Sequence, residues 1–387
     1  MQGGDFIVFG QPDIREEDIE EVVSTLRSLW IGTGPRVRDF ETRFAAYVGA
    51  PHAVATSSGT AALHLGLIAL GVDRDDEVVV PAMTFPAAAN VVLHAGATPV
   101  FADADRKTRN LSAETLAPVI TPRTRTVVPV SFGGYPVDLD ALDATARVHG
   151  ATILVDAAHA IETRYKGRPM GGRADATVYS FYATKNITTA EGGMFTTSSP
   201  SLARRVQGLV LHGLSTDAWR RYSGGGLEHY EVIEPGFKYN MTDLQAALGI
   251  RQLGRIESSL ERRRTIWTRY DEAFVDLPLE LPPLPGGHFG RSSLHLYAPL
   301  LGTDRVPFDR DTLRQRLREK GVGTGVHFTP VHLHRYYRER FGYRGGEFPN
   351  AEDIGSRTFS LPLSAGLGDD AVGRVIDAVR SVLRPFI

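Results

Sequence analysis

The sequence predicts an α/β fold in which helices cover a mostly parallel sheet, and three observations support this prediction. Short runs rich in β-branched and apolar residues recur between positions 52 and 197. Segments whose apolar residues repeat at helical spacing lie between these runs. Turn-forming and helix-capping residues separate the two kinds of segment. Such an alternation is typical of parallel strands connected by helices.

Seven runs are expected to be the strands of this sheet. They are His52–Thr56, Glu77–Val80, Pro99–Ala102, Thr126–Val130, Thr152–Val155, Ala176–Ser180 and Met194–Thr197. Between them, Ala61–Leu70 and Leu139–Val148 are predicted to be helices. Upstream, apolar residues from Ile19 to Leu26 repeat at helical spacing, which predicts an N-terminal helix packed on the same domain.

The chain has 387 residues, more than one hydrophobic core usually serves, so we predict two domains. Residues 1–254 are expected to form the N-terminal helices and a large α/β domain. Residues 255–387 are expected to form a bridging helix and a small C-terminal α+β domain. The segment Thr242–Gln245 matches a capping box and predicts the start of a helical stretch that continues to about Tyr270.

Composition narrows the possible partners. A net charge of −2 provides no basic field for a phosphate backbone, which argues against nucleic acid as a partner. The densest basic run, Arg262–Arg264, is expected to lie on a solvated helix face. The absence of cysteine excludes disulfides and thiolate chemistry, and we expect no metal. No stretch approaches the ~18 apolar residues that cross a bilayer, so we expect a cytoplasmic protein without membrane contacts.

Three motifs at predicted strand ends could carry chemistry. Ser58-Gly59-Thr60 opens a helix, where free N–H groups suit a phosphate, although the motif taken alone is explained by a simple N-cap. Asp156 ends an apolar strand, where open α/β sheets place ligands. Lys185 follows a strand among apolar and hydroxyl residues, where desolvation can make its amine a nucleophile. Together they match the needs of pyridoxal 5′-phosphate (PLP), whose phosphate, ring nitrogen and aldehyde require these three groups.

In these motifs and in further segments, the chain resembles the fold-type-I PLP sugar aminotransferases of the DegT/StrS family. The matching segments are Trp30–Pro35, Ser58–Leu63, Pro81–Phe85, Asp156–His159, Ser180–Lys185, Glu191–Met194, Tyr239–Ala247 and Ser360–Leu363. The resemblance runs nearly from end to end. It implies a fold-type-I PLP-transferase with a seven-stranded, mostly parallel sheet in the large domain and a smaller C-terminal α+β domain.

The resemblance also implies roles for individual residues. Lys185 looks like the Schiff-base lysine, Asp156 like the partner of the pyridine nitrogen, and Phe85 like the ring stacked on the cofactor. His159 would lie near the phenolic oxygen. The residues implied at the phosphate are Ser58, Gly59, Thr60 and Ser180.

Further residues are implied by the way family members pair. Members form homodimers with shared active sites, and Asn240 is expected to reach the partner's phosphate site, with Lys238 as the alternative.

The resemblance also implies that Thr33, Thr84 and His327 contact the substrate. The segment around His327 resembles members that aminate C4 of nucleotide-linked 4-keto-sugars.

We therefore expect an amino group to pass from glutamate or glutamine through pyridoxamine phosphate to a nucleotide-linked keto-sugar. A C3-keto-sugar or a keto-cyclitol is an alternative acceptor, because loops such as Arg220–Tyr230 shape the pocket. A sugar dehydratase of the same family is disfavoured because Lys185 is present. A nicotinamide enzyme is disfavoured because Gly32-Thr33-Gly34 lacks the third glycine of the dinucleotide motif. A non-catalytic PLP-binding sensor would be recognised by its lack of amino-donor turnover.

Overall fold

The computed structural model describes residues 6–215, 231–285 and 289–387, so the loop at 220–230 lies outside the described residues. The helices are α1 (Glu16–Arg27), α2 (Pro35–Val48), α3 (Gly59–Ala69), α4 (Ala87–His94), α5 (Ala113–Leu116), α6 (Leu139–Val148), α7 (Pro200–Leu209), α8 (Asp243–Gly254), α9 (Ile256–Phe274), α10 (Arg310–Glu319), α11 (Arg335–Phe341), α12 (Pro349–Arg357) and α13 (Asp369–Leu383). The strands are β1 (His52–Thr56), β2 (Glu77–Pro81), β3 (Thr98–Ala102), β4 (Thr124–Val127), β5 (Thr152–Asp156), β6 (Arg164–Tyr165), β7 (Arg168–Pro169), β8 (Ala176–Ser180), β9 (Gly193–Thr197), β10 (Leu279–Glu280), β11 (Gly290–Arg291) and β12 (Leu300–Leu301).

Within the described ranges, seven strands form the main sheet in the order β1–β9–β8–β5–β4–β2–β3. Strand β9 is antiparallel to both of its neighbours, and the remaining pairs are parallel. Each of the seven predicted runs contributes one of these strands. The predicted mixed α/β architecture with a mostly parallel sheet is therefore confirmed.

Side chains of alternate strand residues pack into two hydrophobic cores, one on each face of the sheet. In β2, Val78 and Val80 belong to one core and Val79 to the other. In β5, Leu154 faces the first core while Ile153 and Val155 face the second. Because successive side chains of a strand point to opposite faces, a sheet covered on both sides needs such continuous apolar runs. The carboxyl ends of the parallel strands then meet at one edge, where ligands of α/β sheets bind.

The N-terminal helix forms as predicted, but a different face of it is buried. Helix α1 packs against α8 through polar groups, and its buried residues are Asp18 and Thr25. The Asp18 carboxylate bonds the guanidinium of Arg255. Ile19 and Leu26, which predicted the helix, are 47% and 48% exposed. The periodicity therefore predicted the helix correctly without indicating which side faces the domain.

The C-terminal part of the chain has a core of its own. Residues of α9, α10 and α13 pack together in a third apolar cluster, which Ile7 joins from the N-terminus. The long helical stretch predicted after Thr242 is two helices, because α8 ends at Gly254 and α9 begins at Ile256. Thr242 caps α8 as the capping box predicts. The division into domains at residue 254 stays a prediction.

The expectation of a solvated face at Arg262–Arg264 is wrong for Arg263. Its side chain is 2% exposed and forms an ion pair with the fully buried Glu162. The neighbours Arg262 and Arg264 do bond carboxylates at the surface. A basic run on a helix can turn one member inward where a buried carboxylate lies opposite. No helix in the described part of the chain is long and apolar enough to cross a bilayer.

Candidate active site

A cavity of about 400 Å³ opens at the carboxyl ends of β1, β5 and β8. Most of the residues selected from the sequence line it. These are Ser58, Gly59, Thr60, Thr84, Phe85, Asp156, His159, Ser180, Lys185 and His327. The structure therefore brings predicted residues that are far apart in sequence into one pocket, since Ser58 and His327 both line it.

One end of the cavity is a helix N-terminus set against a strand end. Ser58 is the N-cap of α3, and its hydroxyl accepts the Ala61 N–H at 3.0 Å. A side chain at Gly59 would lie 2.8 Å from the Ser180 Cβ, so only glycine allows this approach. The N-terminal amides of α3 and the hydroxyls of Thr60 and Ser180 form a site suited to an anion.

Asp156 lies at the floor of the cavity, and its backbone is held on both sides. Its N–H donates to the Pro129 carbonyl at 2.9 Å, and its own carbonyl accepts from Ser131 N at 3.0 Å. The carboxylate accepts the Ala158 N–H at 3.0 Å. Burial raises the pKa of Asp156, while the Ala158 hydrogen bond and the charge of Lys185 act against this shift. Such a carboxylate favours a cationic partner in the cavity.

Lys185 also lines the cavity, in the turn after β8. Desolvation lowers the pKa of its amine to about 8, and the charge of Asp156 opposes that shift. A lysine whose pKa is lowered in this way has a larger uncharged fraction and is a better nucleophile near neutral pH. The two groups expected at the cofactor ring and aldehyde thus act on each other electrostatically.

Two further predicted residues have groups left free at the cavity. Thr84 is 1% exposed, and its hydroxyl oxygen has no hydrogen-bond partner among the described residues. Phe85 is 60% exposed although it is a large apolar ring, and its nearest aromatic neighbour is Phe328, 6.0 Å away between ring centroids. A buried hydroxyl without a partner and an uncovered ring are features that a bound polar, aromatic ligand would satisfy.

Thr33 and Asn240 do not line this cavity in the described chain. They lie next to each other instead, with the Asn240 amide donating to the Thr33 hydroxyl at 2.6 Å. The Asn240 backbone pairs with Thr56 at the end of β1, and Ser57 N–H donates to the Tyr239 carbonyl at 2.6 Å. These hydrogen bonds hold residues 239–240 beside the start of α3, the end of the cavity that suits an anion. Asn240 itself does not line the cavity.

Three histidines, His159, His295 and His327, line the cavity, and one of them, His295, was missed in the sequence. Its ring lies against that of His159, with centroids 4.3 Å apart and the ring planes tilted by 33°. Burial, with added repulsion from Lys185, holds the pKa of His159 and His295 well below the usual value and lowers that of His327 to about 3. A polar residue inside the apolar run Leu294–Leu301 is the signal that could have identified His295.

A buried polar network behind His295 was also missed. Asn186 bonds His295 Nδ1 through Oδ1 at 2.8 Å and Glu162 through Nδ2 at 2.9 Å. Arg263 completes the network by pairing with Glu162. Since the members come from four distant parts of the chain, no local sequence pattern relates them.

One group of residues outside the cavity has metal-ligand character. Potential ligand atoms of His332, Glu347 and Glu352 lie within 4.8 Å of one another. The oxygens of Glu352 already accept N–H groups from Gly346 and Phe348, and those of Glu347 accept from the preceding turn. These carboxylates serve as caps for backbone amides in the turn before α12.

Comparison with known proteins identifies the chain. Residues 12–380 match the model of the DegT/DnrJ/EryC1/StrS aminotransferase family. The spore coat polysaccharide biosynthesis protein SpsC of Bacillus subtilis is 47% identical over 380 residues, which are 98% of this chain and 97% of that protein. The PLP form of a putative sugar aminotransferase, Spr1654 from Streptococcus pneumoniae, has a TM-score of 0.90 at 35% identity, covering 99% of this chain and 100% of that one.

A more distant solved structure agrees. Helicobacter pylori PseC, an aminotransferase involved in the biosynthesis of pseudoaminic acid, has a TM-score of 0.89 at 28% identity and covers 99% of this chain and 100% of its own. The fold-type-I architecture implied by the sequence is thereby confirmed, and the anion site, the Asp156 carboxylate and the Lys185 amine fit PLP. The chain belongs to the DegT/DnrJ/EryC1/StrS aminotransferase family and is a PLP-dependent aminotransferase.

Proposed function

We propose that this enzyme moves an amino group from glutamate or glutamine to a keto-sugar, at C4 of a nucleotide-linked 4-keto-6-deoxy sugar or keto-pentose. The observation that carries the proposal is the desolvated amine of Lys185 beside the buried carboxylate of Asp156 in one strand-end cavity. The names of relatives support a sugar acceptor, since the pneumococcal protein is described as a sugar aminotransferase. PseC is described as an aminotransferase involved in the biosynthesis of pseudoaminic acid.

Lys185 is proposed as the catalytic residue. PLP, when bound, supplies an electron sink that makes a proton on the adjacent substrate carbon removable. The Nζ atom of Lys185 would hold the cofactor covalently and, once freed, would take that proton as general base and return it as general acid. Its pKa of about 8 suits both roles near neutral pH.

Other residues of the cavity are proposed to hold and tune the cofactor. Asp156 would keep the proton on the pyridine nitrogen, because a buried carboxylate needs a cation opposite it. Ser58, Gly59, Thr60 and Ser180 would bind the phosphate at the start of α3. Phe85 would stack on the ring, and His159 would donate to the phenolic oxygen. Thr84 and His327 would contact the substrate.

We further propose a homodimer in which each subunit completes its partner's cavity. Asn240 lies outside its own cavity beside Thr33, which supports a role across the interface for both residues. Apolar side chains near this segment are left exposed, including Leu29 at 86% and Ile31 at 49%. Exposed apolar groups of this kind commonly mark contacts between subunits. Light scattering should then give twice the chain mass of 42.2 kDa.

The central test follows the visible absorption of the lysine-bound cofactor before and after glutamate is added. We expect the wild type to lose this band and to form pyridoxamine phosphate with release of 2-oxoglutarate. Lys185→Ala should show neither the band nor the conversion, with a loss of at least about 10³-fold, since a positioned acid–base group supplies roughly 10²–10⁴-fold.

The control is Lys166→Ala, a surface lysine that bonds Asp140 and lies outside the cavity. It should retain the band and the conversion. A wild-type band that responds to neither glutamate nor glutamine would overturn the aminotransferase assignment of this site in favour of a dehydratase or a sensor. Wild-type enzyme that carries pyridoxamine phosphate is then offered C4-keto-sugars, C3-keto-sugars and keto-cyclitols, and the acceptor that is aminated decides between the three classes.

A further inference from the structure

The three histidines of the cavity each use Nδ1 for a bond within the protein. His159 Nδ1 meets Gly133 N at 3.3 Å, His295 Nδ1 meets Asn186 Oδ1 at 2.8 Å, and His327 Nδ1 meets Ser360 Oγ at 2.8 Å. All three rings line the cavity. Nε2 is therefore the ring nitrogen that each of them leaves for a ligand.

Hydrogen bonding assigns the proton of the neutral His295 ring to Nδ1. The Asn186 Nδ2 group donates to the Glu162 carboxylate at 2.9 Å and to the Ser293 carbonyl at 3.1 Å, and both of these can only accept. The other end of the amide, Oδ1, must then be the acceptor that faces His295. His295 consequently donates from Nδ1, and its Nε2 carries a lone pair.

This arrangement is fixed deep in the protein. Glu162 and Arg263 are 1% and 2% exposed and form an ion pair, and Arg263 also bonds the Ser293 carbonyl at 3.3 Å. An ionised Glu162 cannot donate to Asn186, so the amide cannot reverse without losing two hydrogen bonds in a buried place. The orientation of Asn186, and with it the tautomer of His295, is thereby determined by distant residues.

His159 has the opposite tautomer. Its Nδ1 accepts the Gly133 N–H, so the proton of the neutral ring is on Nε2. The Gly133 carbonyl in turn accepts the His295 backbone N–H at 3.1 Å, so one residue positions both histidines. With the ring centroids 4.3 Å apart, the cavity presents a donor from His159 and an acceptor from His295 side by side.

We propose that His295 is a specificity-determining residue whose Nε2 accepts a hydrogen bond from a hydroxyl group of the keto-sugar. The inference rests on the proposed function, because it names the group of that acceptor which the site recognises. The phenolic oxygen of the cofactor would accept from His159, the carboxylates of glutamate cannot donate, and the glutamate amino group is the one transferred to the cofactor. A sugar hydroxyl can donate, and it is the group that an unprotonated Nε2 selects.

The test separates the two half-reactions in His295→Phe and His295→Gln. Phenylalanine keeps a flat ring against His159 but has no acceptor, whereas the glutamine side chain can place its oxygen where Nε2 lies. We expect His295→Phe to lower kcat/KM for amination of dTDP-4-keto-6-deoxyglucose, the probe, by at least about tenfold. The glutamate half-reaction should change by no more than about twofold, and His295→Gln should recover much of the loss.

Equal losses in both half-reactions of His295→Phe would show a structural role and overturn the inference, as would no loss with the sugar. A wild type that converts glutamate but aminates neither the probe nor any other nucleotide-linked 4-keto-sugar would instead refute the acceptor class of the proposed function. Nitrogen-15 NMR of histidine-labelled enzyme gives an independent reading of the tautomer. A proton on Nε2 of His295 would overturn the inference whatever the sugar result.

Discussion

The cavity has two walls that are built in different ways. The strand-end wall, with Ser58, Asp156 and Lys185, takes its geometry from backbone positions at the edge of the main sheet. The far wall, with His295 and His327, takes its geometry from side-chain hydrogen bonds to Asn186 and Ser360. The first wall supplies charge and nucleophile, and the second supplies neutral rings with assigned donors and acceptors.

The two walls also differ in the interactions that stabilise them. The backbone that carries the strand-end wall is bonded within the sheet, so its side chains can change without loosening it. The His295 part of the far wall depends on one buried ion pair, Glu162–Arg263, through Asn186. We therefore expect substitutions in the first wall to alter chemistry more than folding, and those behind the second wall to alter folding strongly.

The largest effect is expected from Glu162→Gln, behind the far wall. It leaves the Arg263 guanidinium buried without its carboxylate, which typically costs about 3–5 kcal/mol. The free energy of unfolding from urea titration measures the loss. Glu257→Gln is the control, because Glu257 pairs with Arg291 at the surface, where such pairs contribute about 0–1 kcal/mol. Similar losses in both variants would contradict the distinction between the two walls.

The next effect concerns Lys185 in the strand-end wall and appears as a pH dependence of the apoenzyme. Its pKa is about 8 in the folded protein and 10.5 when unperturbed, so between these values the unfolded chain binds more protons. Stability must therefore rise with pH across this window. Below pH 8 the cost of the buried charge is fully present, at most about 3 kcal/mol, and less because the open cavity admits water.

Lys185→Met and Lys185→Arg are matched variants for this effect. The methionine variant should be more stable than the wild type at pH 7, and the two should converge as the pH rises toward 10.5. The arginine variant stays charged throughout, so it should remain less stable than both at high pH. A constant difference between wild type and Lys185→Met from pH 7 to 10.5 would show that the amine is not desolvated.

The same contrast explains what the sequence could predict. Strand ends are local features, so Asp156 and Lys185 could be recognised from an apolar run followed by a charged residue. All seven strands were predictable for the same reason. Arg263 was assigned to a solvated face because helical periodicity does not reveal a carboxylate that lies 101 residues away in sequence. The role of His295 depends on that same pairing, so it required the tertiary structure.

The smallest effect is expected from Ser58→Ala, where the strand-end wall meets α3. The Ser58 oxygen accepts the Ala61 N–H, so its loss should lower the free energy of unfolding of the apoenzyme by about 1 kcal/mol. The cap uses only the oxygen of Ser58, so the hydroxyl hydrogen remains free to donate to a phosphate.

Ser58→Ala should therefore also bind pyridoxamine phosphate about tenfold more weakly in calorimetry, the effect of one hydrogen bond to a charged group. Ser112→Ala, which removes the cap of α5 outside the cavity, should lose similar stability with unchanged cofactor affinity. If the two variants bind pyridoxamine phosphate equally well, Ser58 is a cap alone, and the phosphate site of this wall consists of Gly59, Thr60 and Ser180.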